Sequence, residues 1–564
     1  MREPWLKVLY KKWLTTLSKA LYAAANRAAS PERSQRVMTM RKTKHVVGRI
    51  AIATGLGVML VAVGACGGSS GSAPEAQPPS SSAVGGTLTV AQSIGATTLN
   101  PETTNQADCY FEELAYEPLI VRLENGGLAP GLATSWHYAG NGNTTFVMDL
   151  RRGVKFSDGT TMTAQDVVND FEYLLKADGQ MAPEFAGDSF AVTGPMQVTI
   201  TAKTPNPEFP FLLTQDYNAG DIISPNGLKD PAALGTKTFG AGPYELDAAE
   251  TVSGSVYTYT PNPYYYDKAA VHWKKVVIKV IATAQATLDA MKTGEVDLTQ
   301  GDPSTLKTAK QAGLTVTQAP LLWDGVVLAD RNGKTVKALG SLQVRQALNY
   351  DTDRTALARA LYAGFGNPTE QVTVPGGYGY LGSLNSTYPY DPTKARQLLA
   401  AAGYPHGFTM SMVTADYGEE NLLAQALAQE WAQIGVKVNI IDDANTSAYE
   451  SAFASGKIPS FIAIYGQQPI SIEGPGLFLP AALFNPYHTA SAALQSLYDQ
   501  DIQATGAAKT TLDQQVESYL VDNAWFVPVV STGLPYYATT NITGTEVTPS
   551  APLVELYQVE PARS

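Results

Sequence analysis

The sequence predicts an α/β protein with more than one lobe. Two stretches carry this prediction, because in each a helical pattern stops at a glycine and a short apolar strand follows. They read "ATAQATLDAMKTGEVDLT", with the stop at Gly294, and "NLLAQALAQEWAQIGVKVNIID", with the stop at Gly435. About 480 residues follow the non-globular N-terminal region. That length is too great for one hydrophobic core, so we expect two or three lobes.

An apolar segment ending in a cysteine precedes the folded part. The run "MRKTKHVVGR" is basic, residues 50–65 carry no charge, and Cys66 follows. About 16 apolar residues suit the core of a signal peptide, whereas a membrane span needs roughly 20. The stretch "VGAC" resembles a bacterial lipobox, and this resemblance implies cleavage before Cys66 and lipidation of its thiol. The alternatives are an ordinary signal peptide or a short membrane anchor.

The N-terminal region divides into three parts. Residues 1–37 are expected to be a non-native upstream extension, because Met38 and Met40 are better starts; an unusually long leader is the alternative. Residues 38–65 are predicted to be the lipoprotein signal peptide. Residues 66–86 are rich in Gly, Ser, Pro and Ala and predict a flexible tether. We expect a protein anchored by lipid on the extracytoplasmic face of the cell membrane.

Composition argues against several kinds of function. The chain has 39 basic and 51 acidic residues; residues 1–65 hold 12 of the basic and 2 of the acidic ones, so the remainder carries a net charge of about −22. Such an acidic body argues against nucleic-acid binding. Cys109 is the one cysteine after Cys66, so no internal disulfide is expected. The scattered histidines and single thiol form no metal or catalytic pattern, so we expect neither a cofactor nor an enzyme.

Local signals place the elements in order. "GTLTVAQS" alternates as a strand does, and so does "TTFVMDL". Thr163 followed by Asp166 predicts a capping box at the start of a helix. In "YDPTKARQLLAAAGYP", Asp391 is a good N-cap, Pro392 suits the first helical position, and Gly403 suits a left-handed C-terminal turn.

Several stretches together resemble one protein family. They occur in the family's order and span roughly residues 87–535: "LAPGLATSW", "LRRGVKFSDGTTMTAQDV", "FGAGPYEL", "NPYYY", "LDAMKTGEVDLT", "VRQALNYDTDR", "YDPTKARQLLAAAGY" and "AQIGVKVNI". This order is similar to that of the extracellular solute-binding proteins of ABC importers, in the oligopeptide/dipeptide-binding family (family 5).

The resemblance implies a two-lobed, periplasmic-binding-protein-like fold with an extra subdomain. Lobe I is expected at residues 87–317, including a subdomain at 116–230. Lobe II is expected at 318–522, and residues 523–564 are expected to return to lobe I.

The resemblance also implies a receptor function. Such a protein captures oligopeptides or dipeptides in the cleft between its lobes, closes over them and delivers them to the permease subunits in the membrane. The closed form is favoured only as far as the ligand binds it better than the open form. We expect a monomer. The alternatives are a binder of a non-peptide polar solute such as a sugar, an opine or a capped peptide, a surface sensor, and, less favoured, a cell-surface hydrolase.

The ligand site departs from the family pattern. In the peptide binders, an aspartate before a proline grips the α-amino group of the peptide; the matching stretch here reads "IAIYGQQPISIEGPGLFL". Tyr465 stands near the family's aromatic position, and Gln467 and Gln468 stand where the acid is expected. A neutral amide cannot make a charge-assisted hydrogen bond to an ammonium in the way a carboxylate can. Glu473 could replace that acid. We expect all four residues to bind ligand.

Further candidates are single positions. Trp323 lies just after the first predicted crossing between lobes, where aromatic rings of relatives often face the cleft; a core position is equally compatible. Tyr110 lies in a region that contacts ligand in relatives. Gln92 and Ser93 end the first strand, where polar groups often line a cleft. We expect these four residues at the ligand site.

Two arginines within the family segments are interpreted as structural. Arg151 and Arg345 are expected to connect loops to carboxylates. Cys109 is interpreted as a small buried residue.

Overall fold

The computed structural model describes residues 85–104, 106–362, 365–415, 418–443 and 446–563. The predicted signal peptide, Cys66 and the tether as far as residue 84 lie outside the described residues. Within the described ranges, every helix is too short or too polar to cross a bilayer.

A seven-stranded sheet forms the centre of lobe I. The strand Gly85–Gln92 lies in the middle and pairs in parallel with Trp273–Val280 and Leu298–Gln300, while the outer pairs are antiparallel. From edge to edge the strands are Thr315–Thr317, Tyr536–Ala538, Leu298–Gln300, Gly85–Gln92, Trp273–Val280, Val256–Pro261 and Tyr244–Leu246.

A four-stranded antiparallel sheet forms the subdomain of lobe I. Its order is Ala133–Tyr138, Thr145–Leu150, Gln197–Thr201 and Ser189–Gly194. Two short pairs accompany the lobe: Ile120–Arg122 with Leu128–Pro130, and Ile542–Thr543 with Glu560–Pro561. A separate apolar core lies under the four-stranded sheet and includes Phe146, Phe171 and Phe209.

A six-stranded mixed sheet forms lobe II. Its order is Asn367–Pro368, Phe526–Thr532, Leu322–Leu328, Ser460–Gly466, Thr409–Ala415 and Lys437–Asp443. Apolar cores cover both faces: Trp323 and Val327 face one core, and Val326 and Leu328 face the other. Because both faces of Leu322–Leu328 are buried, the strand reads as an almost continuous apolar run.

Helices cover the sheets, and several begin where the sequence predicted. The helices are Ala164–Ala177, Phe209–Leu212, Pro225–Lys229, Ala284–Lys292, Leu306–Gln311, Leu342–Tyr350, Arg354–Leu361, Pro392–Ala401, Gly418–Ala432, Thr446–Ala454, Ile470–Glu473, Ala492–Asp501 and Gly506–Asp522. Thr163 and Asp166 form the expected capping box. Asp391 caps the backbone N–H of Lys394, and Gly403 has the predicted positive φ of 88°.

The second crossing between lobes comes later than expected. The strand Phe526–Thr532 falls within the predicted return segment 523–564, but it pairs with Leu322–Leu328 inside the sheet of lobe II. Its buried apolar side chains fill the core of that lobe. The chain returns to lobe I only at Tyr536–Ala538. The first crossing lies between Thr315–Thr317 and Leu322–Leu328.

Candidate functional site

A large cavity lies between the two lobes. Its volume is about 890 Å³, and ligand pockets commonly measure roughly 300–1,000 Å³. Gln92, Thr299 and Tyr536 line it from lobe I, and Ile464 and Gln468 line it from lobe II. The space could accommodate a short peptide or another small polar molecule.

Two crossing segments, residues 318–321 and 533–535, connect the lobes. Both form part of the cavity wall, and hydrogen bonds hold them together. The backbone N–H of Leu321 donates to the carbonyl of Thr532 at 2.7 Å, and Nε2 of Gln318 donates to the carbonyl of Gly533 at 2.8 Å. These pairs join the two segments that would absorb a rotation of one lobe against the other. The wall of the cavity therefore includes the candidate hinge.

Five of the predicted ligand residues line this cavity. From lobe I they are Gln92, Ser93 and Tyr110, and from lobe II they are Gln467 and Gln468. The Tyr110 hydroxyl donates to the Tyr536 hydroxyl at 2.8 Å, and burial raises the pKa of Tyr110.

The two adjacent amides of lobe II have different surroundings. Oε1 of Gln468 accepts a hydrogen bond from the Tyr217 hydroxyl of lobe I at 2.5 Å. Oε1 of Gln467 is buried and accepts no hydrogen bond from the described residues. Gln467 therefore lines the cavity with its amide oxygen buried, while Gln468 joins the two lobes.

The other three predicted residues lie in the core of lobe II and do not line the cavity. Trp323 is fully buried, and its ring lies 5.7 Å from that of Phe526 in an edge-on arrangement. Tyr465, which is opposite Trp323 in the paired strands, packs edge-on against Phe484 at 5.5 Å. Glu473 is also fully buried. The period of a strand places alternate side chains on opposite faces, and here both faces are covered.

Glu473 belongs to a group of buried carboxyls. Burial, and then the neighbouring Glu517, raise the pKa of Glu473 well above its usual range. Burial also raises the pKa of Glu517 to about 8, and its carboxylate accepts from the backbone N–H of Val372 at 3.0 Å. Near neutral pH these carboxyls are therefore largely protonated, and the placement of Glu473 suits a core position better than an ammonium site.

The sequence analysis did not predict several charged groups at the cavity. Asp324, in the middle of an apolar strand, is 2 % exposed and accepts a hydrogen bond from the Tyr362 hydroxyl. Arg122 pairs with Asp216 at 2.6 Å and also donates to the carbonyl of Ser550. The aspartate inside "LLWDGVVL" could have predicted a polar site here, because an ionisable residue in a buried strand needs a specific partner.

The cavity wall is acidic. Among the described residues that line it, Arg122 is the basic side chain, and the acidic ones are Glu124, Asp216, Asp302, Asp324, Glu546 and Glu555. Burial, and then the adjacent Glu113, raise the pKa of Glu555, so this carboxyl holds a proton more readily than an exposed one. Within the described ranges there is no cluster of three or more histidines, cysteines and carboxylates suited to a metal ion.

Known proteins share this architecture. Glutathione-binding protein GsiB of Escherichia coli (strain K12) is 26 % identical over 485 residues, covering 82 % of this chain and 92 % of that protein. HbpA2 of Haemophilus parasuis matches with a TM-score of 0.75 and 21 % identity, covering 85 % of this chain and all of that one. DppA of Helicobacter pylori, in complex with the peptide STSA, matches with a TM-score of 0.66 and 21 % identity, covering 85 % and 99 %.

A family model matches more than half of the chain. Residues 127–475 match the model of bacterial extracellular solute-binding proteins, family 5. This confirms the resemblance and the two-lobed α/β fold expected from the sequence. The chain therefore belongs to the family 5 extracellular solute-binding proteins, which serve ABC importers.

Proposed function

We propose that this protein is a lipid-anchored receptor that binds peptides reversibly between its lobes and delivers them to a membrane permease. The observation that carries the proposal is the 890 Å³ cavity, walled by both lobes and by both crossing segments. A ligand in that position contacts each lobe and so favours the closed arrangement. The names of the relatives, which refer to glutathione and to a peptide, support this class of cargo.

The charge of the wall favours cargo with positive groups. Six carboxyl side chains and one arginine line the cavity. Arg122 and Asp216 neutralise each other and burial favours the protonated form of Glu555, so the acidic groups that remain are Glu124, Asp302, Asp324 and Glu546. An acidic wall attracts cations and repels anions, and it does so more strongly at low ionic strength. Peptides with free amines or basic side chains are therefore favoured over acidic peptides such as glutathione. The neutral Gln468 then need not supply the charge that binds the amine.

The test combines binding with product analysis. The purified protein is incubated with lysine-containing, neutral and acidic tripeptides, and with glutathione, while the melting temperature and the peptide masses are followed. A ligand at 100 times its Kd stabilises the protein by about 2.7 kcal/mol, which raises the melting temperature by several degrees. We expect the largest rise with the basic peptide, and unaltered masses.

Each alternative gives a distinct result in this assay. Shortened peptides would indicate a hydrolase. The absence of a rise with any peptide, together with a rise when a sugar or an opine is added instead, would indicate a non-peptide receptor. A matched pair of variants locates the site: Gln467→Ala removes an amide at the wall, and Gln433→Ala removes an exposed amide of lobe II. The first should weaken peptide binding and the second should not.

The lipid anchor on Cys66 is part of the proposal and rests on the "VGAC" stretch. Multiple acyl chains would hold the protein firmly, since each buried CH₂ contributes about 0.8 kcal/mol. Membrane fractions from cells expressing the wild type and Cys66→Ala test this. The wild type should sediment with membranes and yield a lipid-modified N-terminal peptide, and the variant should do neither. An unmodified wild type in the soluble fraction would refute the anchor.

A further inference from the structure

Besides the crossing segments, hydrogen bonds and an ion pair made by side chains connect lobe I to lobe II. Oε1 of Glu208, in the subdomain of lobe I, accepts a hydrogen bond from the Ser471 hydroxyl of lobe II at 2.6 Å. The same carboxylate lies 3.3 Å from Nζ of Lys509, also in lobe II. Nearby, Nδ2 of Asn143 donates to the carbonyls of Ile502 and Ala504 at 3.1 and 3.0 Å. None of these side chains lines the cavity.

The loop that carries Glu208 is held rigidly in lobe I. The backbone N–H of Glu208 donates to Oδ1 of Asn206 at 2.9 Å, and the backbone N–H of Asn206 donates to the carbonyl of Asn143 at 3.0 Å. The Tyr138 hydroxyl donates to the carbonyl of Asn206 at 2.7 Å. Asn143 and Glu208 therefore move together with lobe I.

Lys509 already has carboxylate partners in its own lobe. Its Nζ lies 3.0 Å from Oδ2 of Asp501 and 3.0 Å from Oδ1 of Asp513. The Lys509 side chain is 11 % exposed, and those of Asp501, Asp513 and Glu208 are 0 %, 5 % and 6 % exposed. When lobe I brings Glu208 to this place, three carboxyl groups share one ammonium in a site that holds little water. With all three ionised, the excess negative charge is costly, and a bound proton relieves it.

We propose that the Glu208–Lys509 contact is a proton-linked clasp: closing the lobes takes up a proton, so the closed form becomes more favourable as the pH falls. The inference rests on the lobe closure in the proposed function, and it concerns the equilibrium of the protein without cargo. A clasp of this kind sets how much of the free protein is closed, and the apparent affinity for any ligand scales with that fraction.

The titration of the neighbouring groups agrees with this direction. Burial, opposed by Lys509 and assisted by Asp513 of the same lobe, raises the pKa of Asp501 to about 8, so this cluster can hold a proton near neutral pH. Burial also raises the pKa of Glu208, against the opposing effects of Lys509 and Ser471. A carboxyl whose pKa is higher in the closed form favours closure at low pH, and this contribution is lost as the pH rises through the raised value. The contribution therefore diminishes as the pH rises towards about 8 and is absent well above that value.

Other titratable groups face the clasp from each packed element. Four tyrosines stay neutral at these pH values, because burial raises the pKa of each: Tyr138, Tyr217, Tyr378 and Tyr498. The two nearest glutamates, Glu473 and Glu517, lie within lobe II. Glu184 of the subdomain faces Tyr498, and burial raises the pKa of Glu184 to about 7. Variants at Glu208 and Asp501 separate the clasp from these groups.

Small-angle X-ray scattering of the purified protein without ligand, from pH 6 to pH 9, tests the clasp. We expect the radius of gyration to rise with pH as the lobes open. One proton per closure changes the ratio of closed to open form by at most roughly tenfold per pH unit. Glu208→Gln removes the third carboxyl and should make the radius independent of pH. Asp501→Asn, a second variant in case the first does not fold, should reduce the dependence.

Glu250→Gln is the matched control. Glu250 pairs with Lys275 at 2.5 Å entirely within lobe I, so this variant should keep the wild-type dependence on pH. A wild-type radius that is constant from pH 6 to pH 9, or a Glu208→Gln variant that folds and keeps the full dependence, would overturn the clasp. Failure of cargo capture would appear separately, as the absence of a peptide-induced rise in melting temperature at any pH.

Discussion

Replacing Gly533 by alanine tests whether the two crossing segments must lie in close contact. A Cβ at this position would lie 1.6 Å from the carbonyl oxygen of Ala319, whereas ordinary contacts begin at 3.4 Å. The atom in the way belongs to the backbone, so the two segments must separate by more than about 1 Å. A displacement of that size breaks the 2.7 Å bond from Leu321 to Thr532 and the 2.8 Å bond from Gln318 to Gly533.

The magnitude follows from these contacts. Each neutral hydrogen bond contributes about 1 kcal/mol net, and forcing an extra methyl group into a packed site costs about 1–3 kcal/mol. The free energy of unfolding should therefore fall by roughly 3 kcal/mol. For a lobe of about 200 residues this corresponds to a melting temperature lower by roughly 5–10 °C. The segments also form the candidate hinge, so peptide affinity should decrease as well.

Differential scanning calorimetry and peptide titration measure both effects. Gly86→Ala is the control: no atom lies within 4 Å of a Cβ built at Gly86, and the residue is exposed in its strand. The control should keep the melting temperature and the affinity of the wild type. A Gly533→Ala protein with an unchanged melting temperature would refute the close contact between the crossing segments, because they would then accommodate a methyl group without separating.

Three further predictions concern lobe II. Trp323→Ala should lower the free energy of unfolding by about 3–5 kcal/mol by leaving a cavity in a core, whereas alanine at the exposed Tyr264 should change it little, as denaturant titration can measure. Arg345→Ala should destabilise the protein and leave peptide affinity unchanged, since the guanidinium donates to the carbonyls of Leu339 and Ala524 away from the cavity; calorimetry and titration separate the two effects. Because the pKa of Glu517 is raised to about 8, its contribution to stability is present at low pH and is lost as the pH rises to about 8; Glu517→Gln should flatten the fall in melting temperature between about pH 5 and pH 8.

Local sequence signals predicted the helices well. Asp391, Pro392 and Gly403 act within one helix, and their roles depend on neighbours a few residues away. The same holds for Thr163 and Asp166 at the capping box. Because such interactions join residues that are close in sequence, they can be predicted without knowing the fold.

Long-range placement was harder to predict. The strand Phe526–Thr532 has the apolar composition of a buried strand, but the sheet that it joins depends on pairing with Leu322–Leu328, about 200 residues away. Arg345 is structural as expected, yet it binds backbone carbonyls where carboxylates were expected. Trp323 and Tyr465 are neighbours in paired strands, but only the packing of the second face decides that both are buried.

The candidate site was predicted only in part. Gln92, Ser93 and Tyr110 were located from the end of a strand and from the family resemblance, and they line the cavity. The role of Gln468 as a contact between lobes depends on Tyr217, 251 residues away in sequence, and no local pattern encodes it. Asp324 could have been found, since it interrupts an apolar strand.

Native mass spectrometry of the isolated protein, mixed with an equimolar set of basic, neutral and acidic tripeptides, tests the central claim most directly. We expect one peptide per chain, enriched in the basic species, and the peptide released on activation to have its original mass. A spectrum with no bound peptide, or a released fragment shorter than any peptide supplied, would contradict a receptor that holds its cargo between two lobes and returns it intact.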